Sequence, residues 1–308
     1  MKDYGADILR LWVASSDYRS DIRVSPEILK QMAEVYRKIR NTAKFMLGNL
    51  SDFDPDRDLV PFAEMTEIDR WAMITLNRLV ARVRQAYENF DYHIIYHGIH
   101  NFCVVDMSNF YLDVLKDRLY TEQANSPARR STQSAMYLIL DSLVRMLAPI
   151  LAFTAEEIWG FMPHRSGADT KSVLFNEMPQ EQAEYTDDAL MERFGTLLEV
   201  RSDASKLLEE ARAAKKIGHS LGAQVTLRAT GKTYELLRQY EDWLSTLLIV
   251  SDTTLLSEAG QDGKAEQTDE LWTQVQPAEG EKCERCWRIS PTVGEDCLCQ
   301  RCRDLLNQ

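Results

Sequence analysis

The chain has 308 residues, enough for two or three domains, and its 44% hydrophobic and 27% charged residues exclude a disordered chain. The net charge of −12 argues against a protein that is basic throughout, although local basic patches can still bind nucleic acid. The apolar runs are too short to span a bilayer and the N-terminus has no secretory pattern, so we expect a cytoplasmic protein without a membrane partner.

Helical patterns dominate the first two thirds of the chain. Residues 1–25 predict only short irregular elements. Ser25 and Pro26 are typical of a helix N-terminus, and Gly48 is a plausible end of the same helix. After the Asp- and Pro-rich loop at 51–61, helical spacing returns, and we predict an up-down bundle. Its helices are predicted over about 68–86, 93–116 and 130–147, with a short fourth helix opened by a capping box at Thr154-Ala-Glu-Glu157.

The periodicity changes after a further predicted helix over residues 188–216. Residues 223–230 alternate like a strand, residues 232–247 are helical, and residues 248–256 are again strand-like. This order predicts a small α/β unit. An acidic, Gly-containing linker at 258–270 then leads to the cysteine-rich tail.

The strongest chemical signal is the cysteine tail, which holds five of the six cysteines. Cys283-x2-Cys286 and Cys299-x2-Cys302 place two pairs of sulfurs on tight turns, and together they can complete a tetrahedral shell. We therefore predict one structural Zn2+ with these four ligands. Cys297 could compete for the metal, and a redox or disulfide cluster is the alternative reading of the pattern.

A basic stripe follows the first long helix. Lys30, Arg37 and Lys44 are seven residues apart and share one face, with Arg40 beside them. Such a stripe suits the phosphates of an RNA stem, and an ordinary solvated face is the alternative. Further candidates for RNA contact are Arg212, Lys215, Lys216, Arg285, Trp287, Arg288 and Arg301. For Trp287, covering the metal site with apolar surface is an alternative to stacking on a base.

Three histidines recur at helical spacing and offer a possible second metal site. His93, His97 and His100 lie at i, i+4 and i+7, with Cys103 three residues further on. Apolar residues flank them and no carboxylate is placed as an evident general base. We interpret these histidines as packing residues.

Several segments resemble, in the expected order, bacterial class I isoleucyl-tRNA synthetases. They are Tyr4-Gly-Ala-Asp-Ile-Leu-Arg-Leu-Trp, Tyr36-Arg-Lys-Ile-Arg-Asn, Asn109-Phe-Tyr-Leu-Asp-Val-Leu and Leu147-Ala-Pro-Ile-Leu-Ala-Phe. The Cys283-x2-Cys286-Trp287 tail is similar to the C-terminal zinc module of the same family. The resemblance implies the portion that follows the family's KMSKS-type loop, and it covers nearly the whole chain.

The resemblance implies a mainly α fold, in which a helical-bundle anticodon-binding domain precedes a small α/β junction domain and a zinc ribbon or knuckle module. The implied domains are a stem-contact region with a connecting helix at 1–60, the anticodon-binding bundle at 61–200, the junction domain at 201–265 and the zinc-binding module at 266–308.

The function implied by the resemblance is binding of tRNA(Ile). The full-length family ligates isoleucine to tRNA(Ile) with ATP, but this chain has no HIGH-type or KMSKS-type motif and no Gly-rich phosphate loop. We therefore expect no catalytic residues here, an inactive fragment that needs a catalytic domain missing from this chain, and a monomer. The alternative is a protein-interaction scaffold built on the zinc ribbon and the helical bundle.

Overall fold

The structure, a computed structural model, describes residues 4–257 and 271–307. Their contacts divide the chain into two compact units. The first unit comprises Met1–Leu115 and Ala124–Asp187, and the second comprises Lys116–Gln123 and Asp188–Gln308. The short segment 116–123 therefore interrupts the first unit in sequence but belongs to the second by its contacts. Among the described residues, no helix is both long enough and apolar enough to cross a bilayer.

The fold is mainly helical, as the sequence predicts. In chain order the helices are α1 Gly5–Ser15, α2 Pro26–Gly48, α3 Glu67–Glu88, α4 Tyr92–Asn101, α5 Leu112–Val114, α6 Lys116–Thr121, α7 Pro127–Leu147, α8 Ala152–Phe161, α9 Asp188–Ala213, α10 Gly231–Gln239, α11 Glu241–Leu247 and α12 Gln300–Leu306. The strands are β1 Ala223–Ala229, β2 Asp252–Ser257, β3 Leu271–Pro277, β4 Glu281–Lys282 and β5 Ile289–Ser290.

Helix α2 has the bounds that its sequence predicts. The Ser25 hydroxyl accepts a hydrogen bond from the Ile28 amide, and Pro26 occupies the first helical turn, where no amide donor is needed. Ile39, Ala43 and Met46 are buried at helical spacing. The opposite face of α2 therefore remains in solvent.

Two predictions for the first unit are wrong in detail. Residues 5–15 form helix α1 rather than irregular elements, because Ile8, Leu11 and Ala14 recur at helical spacing and bury one face of α1 in contact with α2 and α4. The predicted helix at 93–116 is not uniform, since a π-helical segment over Phe102–Tyr111 follows α4 and precedes α5.

The predicted capping box at Thr154 is also wrong. Helix α8 begins at Ala152, so Thr154 lies inside its first turn. The Thr154 amide and hydroxyl both donate to Oδ2 of Asp7, at 2.7 and 2.6 Å. A carboxylate from α1 thus takes the place of an N-cap side chain, because free amides at a helix N-terminus attract negative charge.

A buried carboxylate ties the core of the first unit together. Asp69 on α3 is completely buried and accepts hydrogen bonds from the hydroxyls of Tyr111, Ser131, Thr66 and Thr132. The first three of these bonds are 2.6–2.7 Å long. Because these hydroxyls come from α7, the π-helical segment and the residue before α3, the carboxylate fixes the register of these elements.

The second unit contains a three-stranded sheet with strand order β2-β1-β3. Strands β1 and β2 are parallel and are joined through α10 and α11, whereas β3 runs antiparallel to β1 over residues 271–277. Ala223, Val225, Leu227 and Ala229 of β1 are buried in alternation, as expected for the central strand.

The element boundaries of the second unit differ from the prediction at two helix ends. Helix α9 ends at Ala213, and Lys215 adopts a φ of 57°, so the chain turns before Gly218. Ile249 adopts a φ of 55° after α11, which delays strand β2 until Asp252. Both residues take the left-handed conformation that closes a helix C-terminus. The predicted linker at 258–270 lies outside the described residues.

Candidate metal centre and nucleic-acid interface

Four cysteine sulfurs converge in the C-terminal tail. The Sγ atoms of Cys283, Cys286, Cys299 and Cys302 all lie within 4.8 Å of one another, and all four residues are buried. The Cys286 and Cys299 sulfurs are 3.7 Å apart. Zn–S bonds of about 2.3 Å in a tetrahedron place the sulfurs about 3.8 Å apart, so this cluster is compatible with one Zn2+.

Hydrogen bonds from backbone amides favour the thiolate form of one of these cysteines. Although burial opposes ionisation, the amides of Cys286, Cys299 and Arg285 lower the pKa of Cys283 to about 6. Burial, together with the neighbouring sulfurs, raises the pKa of Cys286 and Cys302. Four adjacent thiolates therefore need a cation between them, and Zn2+ supplies that charge.

Cys297 lies apart from the cluster. It is exposed and adopts a φ of 59°, and its amide and carbonyl form turn hydrogen bonds with Gly294 and Glu284. It contributes no sulfur to the cluster. The geometry favours the sequence-based choice of Cys299 over Cys297.

The arginines of the tail contact protein groups. Arg301 donates two hydrogen bonds to the carboxylate of Asp117, at 2.6 and 2.7 Å. Arg288 lies 3.6 Å from Asp117, and Arg285 donates to the Thr121 carbonyl at 2.8 Å. These three side chains, predicted as candidates for RNA contact, are therefore occupied within the second unit.

Trp287 faces solvent. Its side chain is 59% exposed, its φ is 64°, and Lys282 Nζ lies 5.2 Å from the centre of its ring. The buried core of the metal module comprises the four cysteines with Val293 and Leu298 packed on them, and Trp287 does not belong to it. This placement favours the alternative in which the ring is available for stacking.

The cations of the basic stripe on α2 lie in solvent. Lys30, Arg37, Arg40 and Lys44 are all exposed. Arg37 pairs with Glu34 of its own helix at 2.7 Å, and Arg40 lies 3.9 Å from Glu157. Exposed ion pairs of this kind are worth little and leave the cations available to a phosphate.

A second group of predicted cations lies at the end of α9. Arg212, Lys215 and Lys216 are exposed. Arg212 pairs with Glu209 at 2.7 Å and donates to the Ser220 hydroxyl at 3.1 Å. Cationic side chains here also compensate the negative end of the helix dipole, so their presence is explained with or without RNA.

The three histidines form no metal cluster among the described residues, where only the four cysteines come together in that way. His97 is exposed, whereas the His100 ring stacks on Tyr96 with centroids 6.1 Å apart. Burial, with Lys38 nearby, lowers the pKa of His100. The stacked His100 fits the interpretation of a packing residue, whereas the exposed His97 does not.

Comparison with protein families gives the helical region an identity. A family model described as the anticodon-binding domain of tRNA ligase matches residues 69–227, slightly more than half of the chain. The chain belongs to this anticodon-binding family. A second model, for the zinc finger found in FPG and IleRS, matches residues 280–305, which include all four clustered cysteines. The predicted fold class and the predicted zinc cofactor are confirmed.

Curated relatives confirm the resemblance found in the sequence. The isoleucine–tRNA ligase of Syntrophotalea carbinolica is 53% identical over 307 residues, which are 98% of this chain and 33% of that protein. The isoleucine–tRNA ligases of Geobacter sulfurreducens and Caldanaerobacter subterraneus are 50% and 49% identical with the same coverage. The chain thus spans about a third of the length of these relatives and corresponds to their C-terminal third.

A solved structure aligns distantly with part of the chain. A chain from the ternary complex of Agrobacterium radiobacter LeuRS with tRNA and LeuAMS aligns with a TM-score of 0.43 and 18% sequence identity. The alignment covers 60% of this chain and 21% of that chain.

The sequence reasoning missed Asp117, because nothing near it in sequence marks it as a partner of the tail. It lies 184 residues before Arg301. The one available signal is that an arginine directly precedes the second cysteine in both Cys-x2-Cys turns, at positions 285 and 301. A repeated residue type beside two metal ligands suggests a shared contact, but it does not say with what.

Proposed function

We propose that this chain is the tRNA-binding C-terminal part of an isoleucine–tRNA ligase and that its partner is tRNA(Ile). The observation that carries the proposal is the match of half the chain to anticodon-binding domains of tRNA ligases, joined to a zinc finger of the IleRS type. The whole protein would ligate isoleucine to tRNA(Ile) with ATP in the cytoplasm, and this part would position the tRNA as a monomer. No catalytic residue is assigned to it.

The exposed stripe on α2 supplies the proposed phosphate contacts. Lys30, Arg37 and Lys44 recur every seven residues, so successive cations lie about 10 Å apart along the helix. Their opposite helix face is buried, which holds the stripe rigidly. Such contacts bind any RNA backbone and contribute no sequence preference by themselves.

The zinc module supplies the proposed contact with bases. We assign Cys283, Cys286, Cys299 and Cys302 as ligands of one structural Zn2+, and this closed shell leaves no position for a substrate. The exposed Trp287 ring, with Lys282 above it, is the group that can stack on an unpaired base. The proposal leaves out Arg285, Arg288 and Arg301, because they bind protein groups.

The test is tRNA binding by the purified chain across a series of salt concentrations. Replacing Lys30, Arg37 and Lys44 together by Gln removes about three phosphate contacts, so the slope of log K against log salt should flatten by roughly 2 to 3. The variant should weaken all tRNAs about equally. A control triple variant with the same charge change uses the exposed residues Lys171, Lys206 and Arg238, and it should leave the slope unchanged.

Selectivity is tested separately at the zinc module. Replacing Trp287 by Ala should reduce the preference for tRNA(Ile) over other tRNAs, with zinc content unchanged. A chain that binds no tRNA at low salt contradicts the proposal, and a control triple variant that flattens the slope as strongly contradicts the assignment of the stripe.

A further inference from the structure

The two metal-binding turns share a feature that their zinc ligation does not require. In Cys283-Glu-Arg285-Cys286 and in Cys299-Gln-Arg301-Cys302, an arginine directly precedes the second cysteine. Both arginines reach the same short helix, α6, where Arg285 binds the Thr121 carbonyl and Arg301 binds Asp117. The two turns are therefore fastened to one helix by equivalent residues.

Asp117 is the centre of this contact. Its carboxylate receives both guanidinium nitrogens of Arg301, and Arg288 adds a second positive charge at 3.6 Å. Arg288 also donates to the hydroxyls of Ser245 and Thr246 on α11, at 3.0 and 2.9 Å. An arginine that donates two hydrogen bonds to one carboxylate forms one of the stronger and more directional side-chain contacts. When such a pair is partly buried, removing either partner leaves the other as an uncompensated charge.

The contact extends to a metal ligand. Arg285 directly precedes the ligand Cys286 and Arg301 directly precedes the ligand Cys302, so each arginine that contacts α6 also fixes a turn that carries a ligand. Groups that orient metal ligands in this way commonly change metal affinity by about 10- to 100-fold.

We propose that Asp117 is a positioning residue of the zinc module. It holds Arg301 and, together with the contact of Arg285, keeps both turns on α6, so zinc binding and attachment to α6 strengthen each other. The proposal rests on the zinc ligation assigned above and is independent of tRNA binding.

The coupling must act in both directions. Zinc orders the two turns and thereby aligns Arg285 and Arg301 with α6, which strengthens the contact with α6 by some factor. The contact with α6 must then raise the affinity for zinc by the same factor. Removing the carboxylate should therefore weaken zinc binding, although Asp117 is not a ligand. It should also loosen residues 116–121 even when zinc is saturating.

The experiment measures zinc affinity of the full chain by competition with a chromogenic chelator. Asp117→Asn keeps the side-chain size and should lower the affinity about 10- to 100-fold, whereas Asp117→Glu should recover part of it. Asp304→Asn is the matched control, since Asp304 is exposed on α12 and its carboxylate accepts a hydrogen bond from Gln300 of the same helix. It should bind zinc like the unmodified chain.

A double-mutant cycle with Arg301→Gln identifies the partner. Once either partner is removed, removing the other should cost little further zinc affinity, so the two effects should not add. Hydrogen exchange at saturating zinc should show faster exchange in residues 116–121 of Asp117→Asn. Circular dichroism of each variant verifies the fold. Arg301→Lys keeps the charge but loses the two-bond geometry, so it tests the same contact through the arginine instead of the carboxylate.

Three results would overturn the proposal. They are unchanged zinc affinity in Asp117→Asn, an equal loss in Asp304→Asn, and additive effects in the cycle. Failure of the ligand assignment has a different signature, since zinc would then be retained by Cys302→Ser. Failure of tRNA binding leaves all of these zinc measurements unaffected.

Discussion

Removal of zinc should unfold the C-terminal module and leave the rest of the chain folded. The module has little apolar core of its own, because within the described residues 271–307 the side chains packed on the four buried cysteines are Val293 and Leu298. Two such side chains contribute at most about 6 kcal/mol when fully buried, whereas a structural zinc contributes about 10–16 kcal/mol in zinc-finger peptides. The seven-residue helix α12 is also too short to persist alone.

The boundary of the unfolded region follows from the sheet. Strand β3 pairs with β1 along all seven of its residues, so residues 271–277 should stay folded without the metal. Residues 281–307 should lose their structure, and α6 should loosen because it loses its contacts with Arg285 and Arg301.

Hydrogen exchange with mass spectrometry tests this directly. After chelation, amides of residues 281–307 should exchange rapidly, while those of β1, β3 and α2 keep their protection. The ellipticity at 222 nm should change little. Cys302→Ser should reproduce the effect and Cys297→Ser should not. Loss of protection in β1 and β3, or zinc loss in Cys297→Ser alone, would refute the reasoning.

Two further predictions concern the first unit. Asp69→Ala leaves several buried hydroxyls without their acceptor and should lower the free energy of unfolding by at least about 3 kcal/mol in urea titrations, whereas Tyr111→Phe should cost about 1 kcal/mol. Hydrogen bonds from Arg129 lower the pKa of Asp52 to about 2, below its value of about 3.9 in unfolded chains. The stabilisation is therefore present above about pH 4 and lost as the pH falls towards 2. Arg129→Gln should weaken this acid dependence, whereas Arg37→Gln, which removes a pair with Glu34 that is exposed on both sides, should leave it unchanged.

Local signals in the sequence determined part of this protein. Ser25 and Pro26 begin α2 because capping depends on residues within one turn of the helix end, and Gly48 is the last residue of the helix. The two Cys-x2-Cys turns likewise predict the metal cluster, since each turn places its own pair of sulfurs. Both features depend on residues that are neighbours along the chain.

The tertiary structure decided the features that join residues far apart in sequence. Asp7 caps α8 across 147 residues, and Asp117 meets Arg301 across 184. Neither carboxylate lies in a pattern of its own, because a single Asp on a helix is equally compatible with solvent. Only packing brings each one to its donors, and the free energy of a desolvated charge then makes the pairing obligatory. The local pattern therefore predicts where zinc binds, but the fold determines what holds the zinc module in place.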